Sequence, residues 1–437
     1  GHINAVYVDG VLGDSEAVKD AIFTWEDRFK KGMQHFLNTH ALIMSDTYDL
    51  VVHPAMLSRS PELILKYLCR DKGRGIGKRF RISNGVKFLT NTFEIGPGID
   101  AGGLRKQLVI DLCKHLMDGS PSRTIKLSGS GFPKLTNLNA KEEIDLLVCF
   151  GQLLAVCIEN GGFSTGRLFS DNYFGLLRGL LGVSRTLTPQ EIILGSEEFV
   201  VGEEDQTLWD LYRDPKKLTK EQETLLTTSA ICEEEEIPKY PGSWIDWPLI
   251  KDFVPNDYKI WVRDLIEEYL LNPVNGYPLR GIMHAAQAIS SGLVSCSEVE
   301  KIRLSSDVAL SKAIQGELFS KEGIANRIKS TTNDRVVLQK LQWLKEHICD
   351  PRTSEEWIKR FLKTVTGMPV VLASTQIKLN EFIGGRDCIA HTCFCSLDIP
   401  TRHIDFHTPP DFPIRTDKQF FIHCLEFTMS EEGFNMG

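Results

Sequence analysis

Near the end of this 437-residue chain, the stretch "AHTCFCSLDIP" (Ala390 to Pro400) places two cysteines one residue apart. His391 stands two residues before Cys393, and Cys388 lies just upstream. Three chemistries suit such a cluster. A structural zinc ion takes thiolates and imidazoles at C-x₂₋₄-C and H-x₃₋₅-H spacing, and Cys388–Cys393 and His403–His407 both fall within that range. Only nine residues, Pro400 among them, separate the two pairs, which is a cramped loop for a finger. A disulfide between Cys393 and Cys395 would close a small, strained ring. The third chemistry is a single nucleophilic thiol. Its reactive form is the thiolate, and His391 could orient or accept the proton if the turn brings the ring round.

Two glycine-rich segments invite a nucleotide reading. "GPGIDA" (Gly96 to Ala101) has the G-x-G-x-x-G/A form, after a strand-like run and before a helix. That run alternates polar and apolar residues, whereas a dinucleotide-binding strand is a continuous buried one. Pro97 also removes an N–H where a pyrophosphate would need it. "GRGIGK" fails the phosphate-loop spacing, since no glycine stands five residues before Gly77. No nucleotide is expected.

The formal charge of −8, with 50 basic and 58 acidic residues, argues against nucleic acid or an anionic membrane as partner. The basic run "RDKGRGIGKRFR" (Arg70 to Arg81) reads as a solvated loop. The longest apolar segment, Ile144 to Ile158, is interrupted by Asp145 and Gln152 and is too short for a membrane span of about 20 residues. Eleven scattered cysteines, several in apolar helical context (Cys113, Cys149, Cys157), fit a soluble protein of a reducing compartment, cytoplasmic or nuclear.

These residues must be held by a framework, and the spacing of apolar residues outlines it. An amphipathic helix is expected over 17–44 (Ile22, Trp25, Phe29, Met33, Phe36, Leu37). "PELILKYLC" suits a helix, and the segment around Ser83-Asn84-Gly85 suits a hairpin. Helices follow at Leu104–Met117 and Lys141–Asn160, the latter stopping at Gly161-Gly162. From about 195 to 260 the acidic, proline-bearing "CEEEEIPKYPGSW" suggests an inserted, partly irregular subdomain. Helical spacing resumes at Tyr258–Leu271 and runs to about Lys329, and Ser330–Asp334 is a polar break read as a linker. Beyond it stand helices at Val336–Ile348 and Glu355–Val365, the β-leaning "MPVVLA", the cysteine segment, and a helix at Lys418–Met429.

"AHTCFCSLDIP" resembles the active-site segment of HECT-type ubiquitin ligases, whose pattern is roughly x-H-T-C-F-x-x-L-x-L-P, with Ile399 a conservative fit. Three further segments agree in order: "GIDAGGL" (Gly98 to Leu104), "FLKTVTG" (Phe361 to Gly367) and the tail "EEGFNMG" with Phe434 fourth from its end. "GQLLAVCIENG" (Gly151 to Gly161) fits a family helix as well, so the likeness spans about residues 50–437.

The resemblance implies an α+β, bilobal HECT-like fold. Residues 1–49 would be a helical extension and 50–329 a large, mainly helical lobe, with an inserted conjugating-enzyme-binding subdomain at about 200–262. Residues 330–334 would be a hinge and 335–437 a small α/β lobe. It further implies that Cys393 takes ubiquitin from a conjugating enzyme as a thioester and passes it to a lysine of a protein substrate. His391, Thr392 and Phe434 would support this, and Cys388 and Cys395 would be neighbours without a role. Thioester exchange is nearly isoenergetic, so no cofactor, metal or ATP is expected. Segment 225–257 departs from the family's usual platform, which leaves a HECT-like binding scaffold with weak or lost ligase activity as the second reading. A cysteine hydrolase acting on ubiquitin conjugates is the third.

Overall fold

The computed structural model describes residues 50–52, 57–58, 61–69, 86–88, 103–118, 125–160, 162–200, 206–227, 255–317, 319–402 and 416–430. The helix expected over 17–44, the basic run 70–81, the acidic stretch 232–244 and nearly all of the glycine segment 96–103 lie outside them. Within them the chain is α+β, mostly helical with a small four-stranded sheet and a separate strand pair.

Strand β1 (Leu50–Val52) pairs in parallel with β2 (Val86–Phe88), and α1 (Pro61–Leu68) lies between them in the chain. Of the hairpin expected around Ser83-Asn84-Gly85, only β2 is described, and its observed partner is β1. Helices α2 (Gly103–Leu116) and α3 (Lys141–Asn160) form where the apolar spacing puts them. Then come α4 (Asp171–Gly179), α5 (Pro189–Val200), α6 (Gln206–Arg213), α7 (Lys220–Thr227), α8 (Pro255–Leu271) and α9 (Leu279–Leu293). The described parts of 195–260 are therefore largely helical.

The next helices are short: α10 (Val299–Leu304), α11 (Asp307–Gln315) and α12 (Lys321–Asn326). The remainder mixes helix and strand: β3 (Ile328–Ser330), α13 (Arg335–Cys349), α14 (Glu355–Thr366), β4 (Ile377–Phe382), β5 (Ile389–His391), β6 (Ser396–Pro400) and α15 (Asp417–Ser430). No helix among the described residues is long and apolar enough to cross a membrane.

The chain forms two compact units, and one of the boundaries between them falls inside α3. One comprises residues 125–151 and 172–294 and is helical. Its core holds Phe150, Tyr173, Phe174, Ile192, Trp209, Leu265 and Ile289, all fully buried. Gly151 is required where α3 meets α9, because a Cβ there would fall 1.9 Å from the Ile289 carbonyl oxygen. Ser290 Oγ donates to Leu177 O at 2.7 Å, and Trp209 Nε1 donates to Ile193 O at 2.9 Å, so these two buried donors are satisfied.

The other unit takes in the described residues within 1–124, 152–171 and 295–437, and it contains the sheet, in the order β3-β4-β6-β5. β3, β4 and β6 run parallel, and β5 is antiparallel to β6. Helix α14 buries Ile358, Phe361, Leu362 and Val365, spaced i, i+3, i+4, i+7, each worth roughly 1.5–3 kcal/mol. It starts on Ser354, whose Oγ accepts the Trp357 N–H, and ends on Gly367 at φ 81°. The left-handed turn that closes "FLKTVTG" thus needs its glycine. Helices α13 and α15 join this core with Val337, Leu344, Ile348, Phe421, Leu425 and Met429, and the sheet contributes Ile377, Leu379, Ala390, Leu397 and Ile399. Lys340 interrupts the apolar stripe of α13. Its stem is buried and its ammonium donates to Pro400 O (3.0 Å) and Arg402 O (2.5 Å), which fixes the exit of β6.

Two local expectations change. "MPVVLA" makes a single bridge, Glu317 to Val371, instead of a strand, and Met368, Val370 and Leu372 pack with Ile110. The strand is Ile377–Phe382, which the sequence reading did not single out. The polar segment 330–334 is bound to the sheet rather than loose. The Thr331 N–H donates to Leu379 O (2.9 Å), the Thr332 hydroxyl to Glu381 Oε2 (3.1 Å), and Asp334 Oδ1 accepts the Val336 and Val337 N–H groups in the first turn of α13.

Candidate functional site

β5 and β6 are joined by four residues, Thr392 to Cys395, with the hairpin closing at the His391–Ser396 pair. Thr392–Phe394 form one turn of 3₁₀ helix with Cys393 at its centre. Cys395 follows in the left-handed region, at φ 48° and ψ 49°, the one non-glycine residue with positive φ among those described. Its N–H reaches Thr392 O at 3.4 Å, and its carbonyl accepts the Lys378 N–H of β4 at 3.0 Å. A turn of this shape matches the twist of the strands it joins but asks its last residue for a conformation that favours glycine.

The two flanks of the turn differ. Thr392 is buried and α14 packs against the turn, whereas the Phe394 side chain is 73 % exposed. A large apolar ring left in water beside a candidate nucleophile is the kind of contact that a partner protein covers.

His391 sits at the end of β5 with its Nε2 2.8 Å from Asp398 Oδ2 on β6. The register explains the meeting. Ile389 is directly opposite Asp398 and His391 is opposite Ser396, so the His391–Asp398 pair is a diagonal on the outer face of the hairpin. Asp398 Oδ1 in turn accepts from Asn380 Nδ2 (3.2 Å), and Asn380 is its direct neighbour on β4. Leu379, Ala390, Leu397 and Ile399 alternate with these polar residues and point into the core, which puts Asn380, Asp398 and His391 on the outer face.

The site residues expected from sequence therefore divide. Cys393, His391 and Thr392 lie together in one turn and the strand that feeds it. Phe434 lies outside the described residues. Asp398 and Asn380 were missed. Asp398 stood in the quoted segment, but only strand register shows that it reaches His391. Asn380 carries no sequence signal at all.

Cys388 is 3 % exposed and belongs to the core, and its carbonyl accepts the Thr428 hydroxyl at 2.8 Å. Among the described residues, no group of three His, Cys, Asp or Glu side chains could hold a metal ion. His403 and His407 lie outside them. What the arrangement offers is an imidazole oriented by a carboxylate two residues from a cysteine, on a solvent-facing turn backed by a packed helix. Such a set can guide a proton during acyl transfer at sulfur. A scan of the sequence against models of protein families found no match, and a search of curated proteins found none either.

Proposed function

We propose that this chain is a HECT-type ubiquitin-protein ligase, with residues 50–329 as the large lobe and 335–437 as the small α/β lobe. Cys393 accepts ubiquitin from a conjugating enzyme as a thioester, and a lysine of a protein substrate takes it away. In the first step the Cys393 thiolate attacks the donor's thioester carbonyl, and the conjugating enzyme leaves as its own thiolate. In the second step the amine attacks, the Cys393 sulfur departs, and an isopeptide bond remains. Neither step needs an oxidant or a phosphate donor, so the task of the chain is to bring thiol, thioester and amine together.

One observation carries the reading: the turn that holds Cys393 is flanked by the His391–Asp398 pair, and the exposed Phe394 ring sits beside it. The ordered motif matches along the chain add to it. The proposed setting is cytoplasm or nucleus, with ubiquitin, a conjugating enzyme and a protein substrate as partners.

The test is incubation with activating enzyme, a panel of conjugating enzymes and ubiquitin. An adduct cleaved by reducing agent should form, and Cys393→Ser should replace it with a more stable ester or with nothing. Cys388→Ser and Cys395→Ser should load nearly as the parent does. No adduct with any conjugating enzyme, or loss of loading in Cys395→Ser alone, refutes the assignment. The His–Asp pair also suits a hydrolase acting on ubiquitin conjugates, and release of free ubiquitin from chains without an added lysine acceptor would favour that reading.

A further inference from the structure

We infer that Asp398 is a positioning residue that decides which nitrogen of His391 carries the proton, and that a row of side chains across the sheet holds it to that task. The row starts at Thr331, just beyond β3, passes through Asn380 on β4 and Asp398 on β6, and ends at His391 on β5. Each member comes from a different strand or its extension, so the row exists only in the folded sheet.

The direction of every bond in the row follows from donor and acceptor chemistry. An ionised carboxylate only accepts. Asp398 Oδ2 therefore faces an N–H at His391 Nε2, 2.8 Å away, and the lone pair of the neutral ring is left on Nδ1. Asp398 Oδ1 likewise requires the amide N–H of Asn380 (3.2 Å), which turns the Asn380 carbonyl oxygen towards Thr331 Oγ1 at 2.8 Å. The Thr331 hydroxyl is thereby the donor of that contact, its single proton shared with Leu379 O at 3.1 Å, and its backbone is fixed by its N–H to Leu379 O at 2.9 Å. With both oxygens engaged from opposite sides, the carboxylate has no free rotation. The imidazole is fixed in turn, and Nδ1 becomes its only basic atom. In the transfer step Nδ1 would take the proton that the attacking lysine amine must lose. That last role rests on reading Cys393 as the ubiquitin acceptor, whereas the tautomer does not.

Asp398→Asn separates positioning from shape. The introduced amide is nearly isosteric, but it has one oxygen and one N–H₂ group. Asn380 presents an N–H to position 398, so the new oxygen turns to Asn380 and the new amide turns to His391. A donor facing Nε2 moves the ring proton to Nδ1 and removes the base from the atom that had it.

The experiment is two-bond ¹H–¹⁵N correlation on chain labelled at histidine, at pH 8, with the His391 signals assigned by their loss in His391→Gln. The parent should show the Nε2–H tautomer and Asp398→Asn the Nδ1–H tautomer. In single-turnover discharge of preloaded ubiquitin to free lysine, Asp398→Asn should lower the saturating rate about tenfold or more and leave the half-saturating lysine concentration unchanged. Asp398→Glu, which keeps an acceptor, should recover part of the rate. Thr331→Val leaves Asp398 in place but loosens the row, so it should give a mixed tautomer and an intermediate rate, and it serves if Asp398→Asn does not fold. An Nδ1–H tautomer in the parent, or an Nε2–H tautomer retained in Asp398→Asn, overturns the inference. A switched tautomer with an unchanged discharge rate overturns the part assigned to it in transfer. Should the parent fail to load ubiquitin, the ligase reading falls, and the tautomer comparison still decides the role of Asp398.

Discussion

Replacing Cys395 by glycine should tighten the turn that carries Cys393. At φ 48° and ψ 49° the residue sits in the left-handed region, where an L side chain costs roughly 1–2 kcal/mol and glycine almost nothing. Two effects oppose the gain. Glycine has more freedom to lose on folding, roughly 0.5–1 kcal/mol. The substitution also removes the weak contact from Cys395 Sγ to Thr392 O at 3.9 Å, worth about 0.5 kcal/mol at most. The net gain for Cys395→Gly is therefore about 0.5 kcal/mol. Valine, branched at Cβ, is among the least tolerant residues at positive φ, so Cys395→Val should lie about 2 kcal/mol below the glycine variant. Asparagine, which tolerates this region, should fall between them.

Hydrogen exchange of the β6 amides (Ser396 to Ile399) reads the opening of this turn directly, because β6 is paired on both sides and is held at its start by the turn. A gap of about 2 kcal/mol is roughly a thirtyfold difference in exchange rate between the valine and glycine variants. Ubiquitin loading at Cys393 should persist in the glycine variant. Equal exchange in the two variants would refute the strain argument. Loss of loading with a tightened turn would show that Cys395 has chemistry of its own.

Thr331→Pro removes the N–H that binds Leu379 O and should lower the melting temperature by an amount corresponding to about 1–3 kcal/mol. An unchanged melting temperature would mean that 330–334 behaves as the free linker its composition suggests. His347 packs edge-on to Trp357 at 4.5 Å, and its Nε2 is buried without a hydrogen bond. Burial holds its pKa below the ordinary 6.5, against the pull of Glu426 and Asp350 and with a small push from Lys418 and Lys321. The unfolded chain then takes the proton first as pH falls. The stability tied to this neutral ring is therefore complete above pH 6.5 and is lost progressively below it. Melting at pH 7.5 and 5.5 should show a smaller acid-induced drop in His347→Phe than in the parent, and equal drops would refute the assignment. Phe434, which on the proposed ligase reading would anchor the small lobe during transfer, should leave loading intact when changed to alanine. An anchored aromatic is worth about 2–4 kcal/mol, so transfer should slow by one to three orders of magnitude. A pulse-chase in which loading and transfer fall together would assign the ring to the core instead.

Helices were the legible part of the fold. The pattern Ile358-Phe361-Leu362-Val365 between Ser354 and Gly367 contains its own start, buried face and stop, and α14 forms there. Lys141–Asn160 was equally clear, since twenty residues of apolar spacing outweigh any local ambiguity. Short strands were not legible. "MPVVLA" has higher β-propensity than "IKLNEF", yet the second is the strand, because a central position needs neighbours on both sides and only Ile377–Phe382 has them. Ser330–Asp334 looks like a linker by composition, and its hydroxyls and N–H groups became bonds only because β4 lies beside them.

The chemical vocabulary of the site is written in the chain: a cysteine, a histidine two residues before it, and an ordered set of segments resembling one family. The caps of α13 and α14 are written there too, since capping is a local exchange between a side chain and the next few N–H groups. Folding of the sheet, by contrast, gives Asp398 to His391, sets Asn380 and Thr331 against Asp398, and puts Cys395 in a left-handed backbone. Those facts depend on strand register, and a slip of one residue would send every one of these side chains to the opposite face. Register is set by which apolar residues of four helices and four strands fill a common core, a property of residues far apart in the chain.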